Sequence, residues 1–224
     1  MSILTVYPDP APGTTSKSGG VGRLGQNTTL SSIRNGAGTS TDTGSFIYLS
    51  GLFSNGSSNF QDCWRSLDLF DTSALGSSAT IISATMSLYG NAGNTATMGL
   101  SDANAGLALV DASPASDTTM QNSDYENSGT TRQATDLGFS TVDVSSYFDF
   151  TLNATGLASI NKTGITKFAV RLVAELDTVS FSPGANKESS VFGYDSNNTG
   201  TSKDPKLVIN YTTVVTTGNM LLAF

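Results

Sequence analysis

The chain has no histidine and a single cysteine, Cys63. That removes the commonest general base, the nucleophilic triads built on it, most zinc sites and any intrachain disulfide. Catalysis would fall to carboxylates. Asp68 with Asp71, and Asp143 with Asp149, are near enough in sequence to be considered as the paired acids of a glycoside hydrolase. Asp71 lies in FDTS (Phe70 to Ser73), where an Asp carboxylate most often accepts the backbone amides of a turn. No residue is assigned a catalytic role, and the expected function is non-enzymatic.

Carboxylates in loops can also hold calcium, which takes oxygen ligands from Asp, Asn and backbone carbonyls. Asp9, Asp42, Asp62, Asp195 and Asp204 fall in such loops. Their spacing matches no EF-hand or repeat-type calcium loop, so turn formation is the expected role and a structural calcium the alternative. No other metal or cofactor is expected. Sugar binding needs rings that can stack on a sugar face, and the rings not assigned to a core are Trp64, Tyr125, Tyr147, Phe148 and Tyr194. Trp64, beside Arg65 within a strand, is expected to be packed. Tyr125, in NSDYENSG, is the expected solvent-facing ring, and Tyr125 and Tyr147 are the candidate glycan contacts. The glycine-rich GGVGRLG (Gly19 to Gly25) lacks the GK[ST] ending of a phosphate loop and reads as a flexible connection. The Asn-X-Ser/Thr triplets at Asn27, Asn55, Asn153, Asn161, Asn197 and Asn210 arise readily in a chain so rich in these residues.

Charged residues are only 13% of the 224, with 18 acidic against 11 basic and a net charge of −7. Such a field repels phosphate backbones, and no basic cluster offsets it, so nucleic acid is not an expected partner. No apolar run approaches the roughly 20 residues of a membrane-spanning helix, and no membrane partner is expected. The start, MSILTVYPDPAPG, lacks a basic region followed by an apolar one, so export is not expected from it.

The elements that must position these residues are strands. Ile82, Ala84, Met86 and Leu88 alternate with Ser83, Thr85 and Ser87, and a period of two is read again at Phe168, Val170, Leu172 and Ala174, and at Leu207, Ile209 and Tyr211. Further strands are expected near Phe46 to Leu49, Trp64 to Phe70, Asp149 to Leu152 and Val191 to Tyr194. Links rich in Gly, Ser and Asn, such as SNGSSN (Ser54 to Asn59), join them. One short helix is expected after Asn153, with Leu157 and Ile160 on one face and Gly164 as a left-handed stop. Residues 91–133 read as long loops with short strands. The expected architecture is a single all-β sandwich of the jelly-roll kind over residues 1–217, followed by an apolar C-terminal arm at 218–224. Ile3 and Leu4 at one end, and Met220, Leu221, Leu222 and Phe224 at the other, are the candidate assembly contacts, because apolar chain ends need something to dock against.

The run RSLDLFDTSALGSSATIISATMSLYG (Arg65 to Gly90), with PKLVINY (Pro205 to Tyr211), resembles DNRLRE-type jelly-roll domains of bacterial surface proteins. Together with TVYPDP (Thr5 to Pro10), IRNGAGT (Ile33 to Thr39), DFTLNATGLASINKTGITKF (Asp149 to Phe168) and NMLLAF (Asn219 to Phe224), it resembles a phage-associated group more closely. The resemblance implies a jelly-roll sandwich without known catalytic residues, in a phage setting. Asp68 stands where such domains often carry an apolar residue, which points to a strand facing solvent or a polar interface. The resulting expectation is a virion structural protein: a capsid decoration, head-fibre or tail-associated protein, made in the host cytoplasm and released by lysis. It would bind other virion proteins or itself. The alternatives are a carbohydrate-binding or adhesion module at a phage or cell surface, and an extracellular filament subunit that assembles by strand exchange.

Overall fold

The computed structural model describes residues 1–91, 98, 100–177 and 181–213. Its strands, in chain order, are β1 (Ser2–Val6), β2 (Ser18–Arg23), β3 (Ser40–Asp42), β4 (Phe46–Ser54), β5 (Phe60–Asp71), β6 (Ala79–Tyr89), β7 (Leu107–Ala112), β8 (Ser128–Arg132), β9 (Tyr147–Thr151), β10 (Ile165–Leu172), β11 (Glu188–Tyr194) and β12 (Lys206–Thr213). Single-turn helices α1 (Leu30–Ile33), α2 (Asp102–Ala105), α3 (Ala154–Ala158) and α4 (Val173–Leu176) lie in the connections.

The strands form two antiparallel sheets. The smaller has the order β1-β12-β6-β9, and the larger runs β11-β4-β5-β10-β7-β8 with β2 and β3 attached at β5. The chain crosses repeatedly from one sheet to the other, as in a jelly roll, so an all-β sandwich is what the sequence makes. Alternation explains the smaller sheet: Ala84, Met86 and Leu88 of β6, Leu207 and Ile209 of β12, and Phe148 and Phe150 of β9 are all buried.

Three expectations need correction. Ile82 is 45% exposed, because the β12 register slips between Asn210, opposite Ser83, and Tyr211, opposite Ile81. Ile82 is therefore the unpaired residue of a bulge, and the alternation breaks there. Ala174 does not continue β10, since the chain leaves the sheet after Leu172 and turns into α4. Asn153 does cap a helix, its side chain accepting from the Gly156 amide, but α3 ends with Ser159 in a right-handed conformation rather than at Gly164.

β5, 12 residues long, is shared by three neighbours. β2 pairs with residues 63–68; β4 takes residues 60–65 and β10 residues 66–71 of the other edge. The sheet forks where β4 and β10 part, and Arg65 stands at the fork. Its guanidinium is 1% exposed. Arg65 Nε donates to Glu175 Oε1 at 2.6 Å, one terminal nitrogen donates to the Arg34 carbonyl at 2.7 Å, and the other donates to the Tyr125 carbonyl. Arg171 donates to the same Glu175 oxygen at 2.8 Å and to the carbonyls of Ser128 and Gly129. α4 exists at this place because β10 must end for Glu175 to turn beneath the fork. A second buried pair, Lys17 Nζ to Asp124 Oδ2 at 2.8 Å, fastens the 113–127 connection over the same face.

Desolvation of two guanidiniums is tolerable only while the carboxylate and carbonyls answer them. The two guanidiniums beside Glu175 hold its carboxyl below the ordinary glutamate value of 4.5 despite full burial. Its contribution to stability is therefore complete above pH 4.5 and is lost as pH falls through the lower folded value. Glu175→Gln should cost about 3–5 kcal/mol in urea unfolding at pH 7. The gap between variant and wild type should stay constant above pH 4.5 and narrow below it.

Candidate functional site

Bulges and pairing together produce a face of aromatic rings. In β4 and β11, Phe46 pairs with Tyr194 and Tyr48 with Phe192. Opposite residues of an antiparallel pair share a face, so these four rings point the same way. The register shift between Val191 and Phe192 inserts Leu49 as the extra residue of β4. Leu49, Ile47 and Val191 are fully buried, and the rings take the outer side. Phe46 is 49% exposed, while Tyr48, Phe192 and Tyr194 are half-buried.

The face extends in both directions. Toward the smaller sheet, Tyr89 and Tyr147 are register partners, with ring centroids 5.1 Å apart, and Tyr89 reaches Tyr194 at 5.5 Å. A backbone bridge between Gly90 and Gly193 ties the sheets at this seam. Toward β5, Tyr48 lies 4.0 Å from Phe192, 5.3 Å from Phe53 and 5.4 Å from Trp64, the last with planes only 24° apart. Trp64 lies flat on β2: a methyl group built at Gly22 would sit 2.7 Å from its ring. Glycine is required at that position so that the indole can press on the backbone.

The charges around these rings are sorted. Lys206 Nζ stands 3.8 Å over the Tyr147 ring, and Lys203 Nζ stands 4.4 Å from the Tyr194 centroid while donating to its hydroxyl, both within cation–π range. At the other end the neighbours are acidic. Burial, then Glu188, Asp62 and Asp42, push the Tyr48 hydroxyl upward, and burial with Tyr7 and Asp204 takes Tyr147 to about 12. Both phenols stay protonated at neutral pH, and the Tyr147 hydroxyl donates to the Asp204 carbonyl at 3.0 Å. The arrangement therefore offers stacking surface, the Tyr48 phenol and carboxylate acceptors side by side.

Of the two rings singled out for glycan contact, Tyr147 belongs to this face. Tyr125 does not, and the expectation of a solvent-facing ring there is corrected. It is fully buried, its hydroxyl donates to the Ile33 carbonyl at 2.8 Å, and the Arg65 guanidinium lies 3.7 Å from its centroid. The polar NSDYENSG context hid this because the anchor is the buried cation of a distant strand. Trp64 is packed, Tyr194 joins the face and Phe148 is core. Phe46, Tyr48, Phe53 and Phe192 were missed, since a strand pattern does not say which of its two faces meets solvent.

Among the candidate calcium ligands, Asp9 and Asp42 are turn formers, whereas Asp62, expected in a loop, lies on β5 and ties it to the connection after β2. Asp9 Oδ2 accepts the amides of Thr14, Thr15 and Ser16, Asp42 Oδ1 that of Gly44, and Asp62 Oδ1 that of Gly25. Asp71 Oδ1 accepts from the Ser73 amide and Asp143 Oδ1 from that of Ser145. Asp195 and Asp204 are buried, and so is Asp68, which corrects the expectation of a solvent-facing or polar-interface strand. On β1, Ile3 is 68% exposed while Leu4 packs on the core. Met220, Leu221, Leu222 and Phe224 lie outside the described residues, as does the boundary of the arm at 218.

No protein-family model matches the chain, and no curated protein matches it either.

Gly22→Ala should lift the indole from β2 and cost about 1–3 kcal/mol, as overpacking does. Trp64 is the only tryptophan, so a red shift of intrinsic emission in the folded variant reads this one ring.

Proposed function

We propose that the chain is a non-enzymatic binding domain whose aromatic face holds a carbohydrate at a phage or cell surface. The observation that carries this is the run of half-exposed rings from Tyr147 through Tyr194 and Phe46 to Tyr48, which stacks on the packed Trp64, with lysines at one end and carboxylates at the other. Sugar rings present C–H faces that stack on aromatics and hydroxyls that donate to carboxylates, which suits this mixture. A protein partner would favour a more continuous apolar patch. The resemblance of Arg65 to Gly90 and Pro205 to Tyr211 to phage-associated jelly rolls supports a virion as the setting.

A second reading, a virion structural protein assembled through its terminal segments, is favoured by one observation. Among the described residues β1 pairs on one side, with β12, and it projects Ile3 into solvent. An unpaired edge of this kind accepts a further strand.

Titration of a panel of soluble polysaccharides against the full chain, read by Trp64 emission and calorimetry, tests the first reading. A binding glycan should lose about tenfold or more in affinity with Tyr48→Ala or Phe46→Ala, a change of the size expected for one stacked ring. Phe46 is exposed enough that its loss leaves the fold intact. Absence of any emission change across the panel, with light scattering that shows oligomers dissociated by Ile3→Lys, would replace it with the second.

A further inference from the structure

Two lysines on the aromatic face have rings for neighbours and no carboxylate. Lys206 Nζ stands 3.8 Å from the Tyr147 centroid, and Lys203 Nζ stands 4.4 Å from that of Tyr194 and 5.5 Å from that of Tyr89. Tyr89 lies 5.1 Å from Tyr147 and 5.5 Å from Tyr194, so the two ammoniums flank a single cluster of three rings. Lys17, Arg65, Arg132, Lys167 and Arg171 all form ion pairs; Lys203 and Lys206 form none among the described residues. The chain has 18 acidic residues against 11 basic ones, so these two do not lack a carboxylate because acids are scarce. A ring quadrupole attracts an ammonium but carries no net charge, and both positive charges persist at the surface.

The surrounding acids leave them so. Asp149 shares their face, in register with Ser87, which is in turn opposite Lys206, and therefore sits two strand spacings away, roughly 10 Å. Asp204, between the lysines in sequence, is buried and presents its carbonyl to the Tyr147 hydroxyl. Glu188 is six residues from Tyr194 along β11, roughly 20 Å and more than two screening lengths of about 8 Å at physiological salt. The groups that remain are donors. Lys203 Nζ donates to the Tyr194 hydroxyl at 3.1 Å, a bond that holds its ammonium above the ordinary lysine value and leaves the phenol's own O–H to donate. Two ammoniums and a phenol beside stacking rings are answered by an acceptor that carries negative charge.

We propose that the glycan held by the aromatic face is acidic, and that an anionic group on one sugar docks between Lys203 and Lys206 while that sugar stacks on Tyr194 and Tyr147. This rests on the carbohydrate reading of the face and adds its substrate class. The rest of the saccharide runs over Phe46 toward Tyr48, where the carboxylates accept hydroxyls and repel a second anionic group, so the ligand has one orientation along the rings.

The test compares saccharides that differ in charge alone, titrated by calorimetry into the full chain. Polygalacturonate is paired with its carboxyl-reduced form, and dextran sulfate with dextran, which separates a carboxylate from a sulfate as the docking group. The charged member of at least one pair should bind about tenfold more tightly at low salt, the size two exposed ion pairs supply. That advantage should shrink at about 0.5 M salt, because exposed charges are screened. Replacing both lysines, Lys203→Gln with Lys206→Gln, should erase the preference, and Lys203→Arg with Lys206→Arg should keep it. Thermal unfolding of both variants should match wild type, since neither lysine is buried. Neutral members that bind as tightly as charged ones, or a preference that survives the glutamine substitutions, would overturn the acidic class while leaving the carbohydrate reading in place. Absence of binding by every saccharide, charged or neutral, would remove that reading and the proposal with it.

Discussion

Everything on the larger sheet depends on keeping Arg65 solvated by the protein. An arginine in mid-strand at a fork cannot reach water, so its charge must be met by groups brought to it from elsewhere in the chain. Glu175 arrives because β10 stops and turns, the Arg34 carbonyl arrives at the end of α1, and the Tyr125 carbonyl arrives from the long 113–127 connection. Removing the guanidinium would leave three separate segments without a reason to meet. Lys17 and Asp124 repeat the device a short distance away, so that polar, loop-like sequence is held over a sheet face that would otherwise need an apolar cover.

The aromatic face is a consequence of the same fork. β4 cannot stay alongside β5 beyond residue 65, because β10 takes that edge, and the β4 and β11 ribbon diverges toward the smaller sheet, where Gly193 bridges Gly90. A bulge at Leu49 lets the ribbon keep its aliphatic residues inward as it bends. Its outward rings then become continuous with Tyr89 and Tyr147, and a surface is assembled from strands of both sheets. The edge-to-face packing of these rings clamps the seam, which gives the face a rigid backing.

Elements with clean alternation were legible in the sequence. The inward residues of β6, β9 and β12 follow from a period of two, and the Asn153 cap and the Asp71 turn follow from local hydrogen bonding that needs no distant partner. Where the period broke, at Ile82 and at Ala174, the cause was a pairing partner or a buried charge far away in the chain. The same holds for the site. Tyr147 could be suspected from its strand end, but Tyr125 was misplaced and Tyr48 and Phe192 overlooked, because exposure depends on which sheet covers which face.

The sequence by itself determined the all-β class, the absence of histidine and of an intrachain disulfide, and the net charge of −7, because composition and local periodicity act through short-range backbone and solvation preferences. Only the tertiary structure decided that Arg65 and Asp68 are buried, that Tyr125 serves Arg65 and that rings from β4, β6, β9 and β11 form one face. Each of those depends on long-range strand register, and one residue of register exchanges the two faces of a strand.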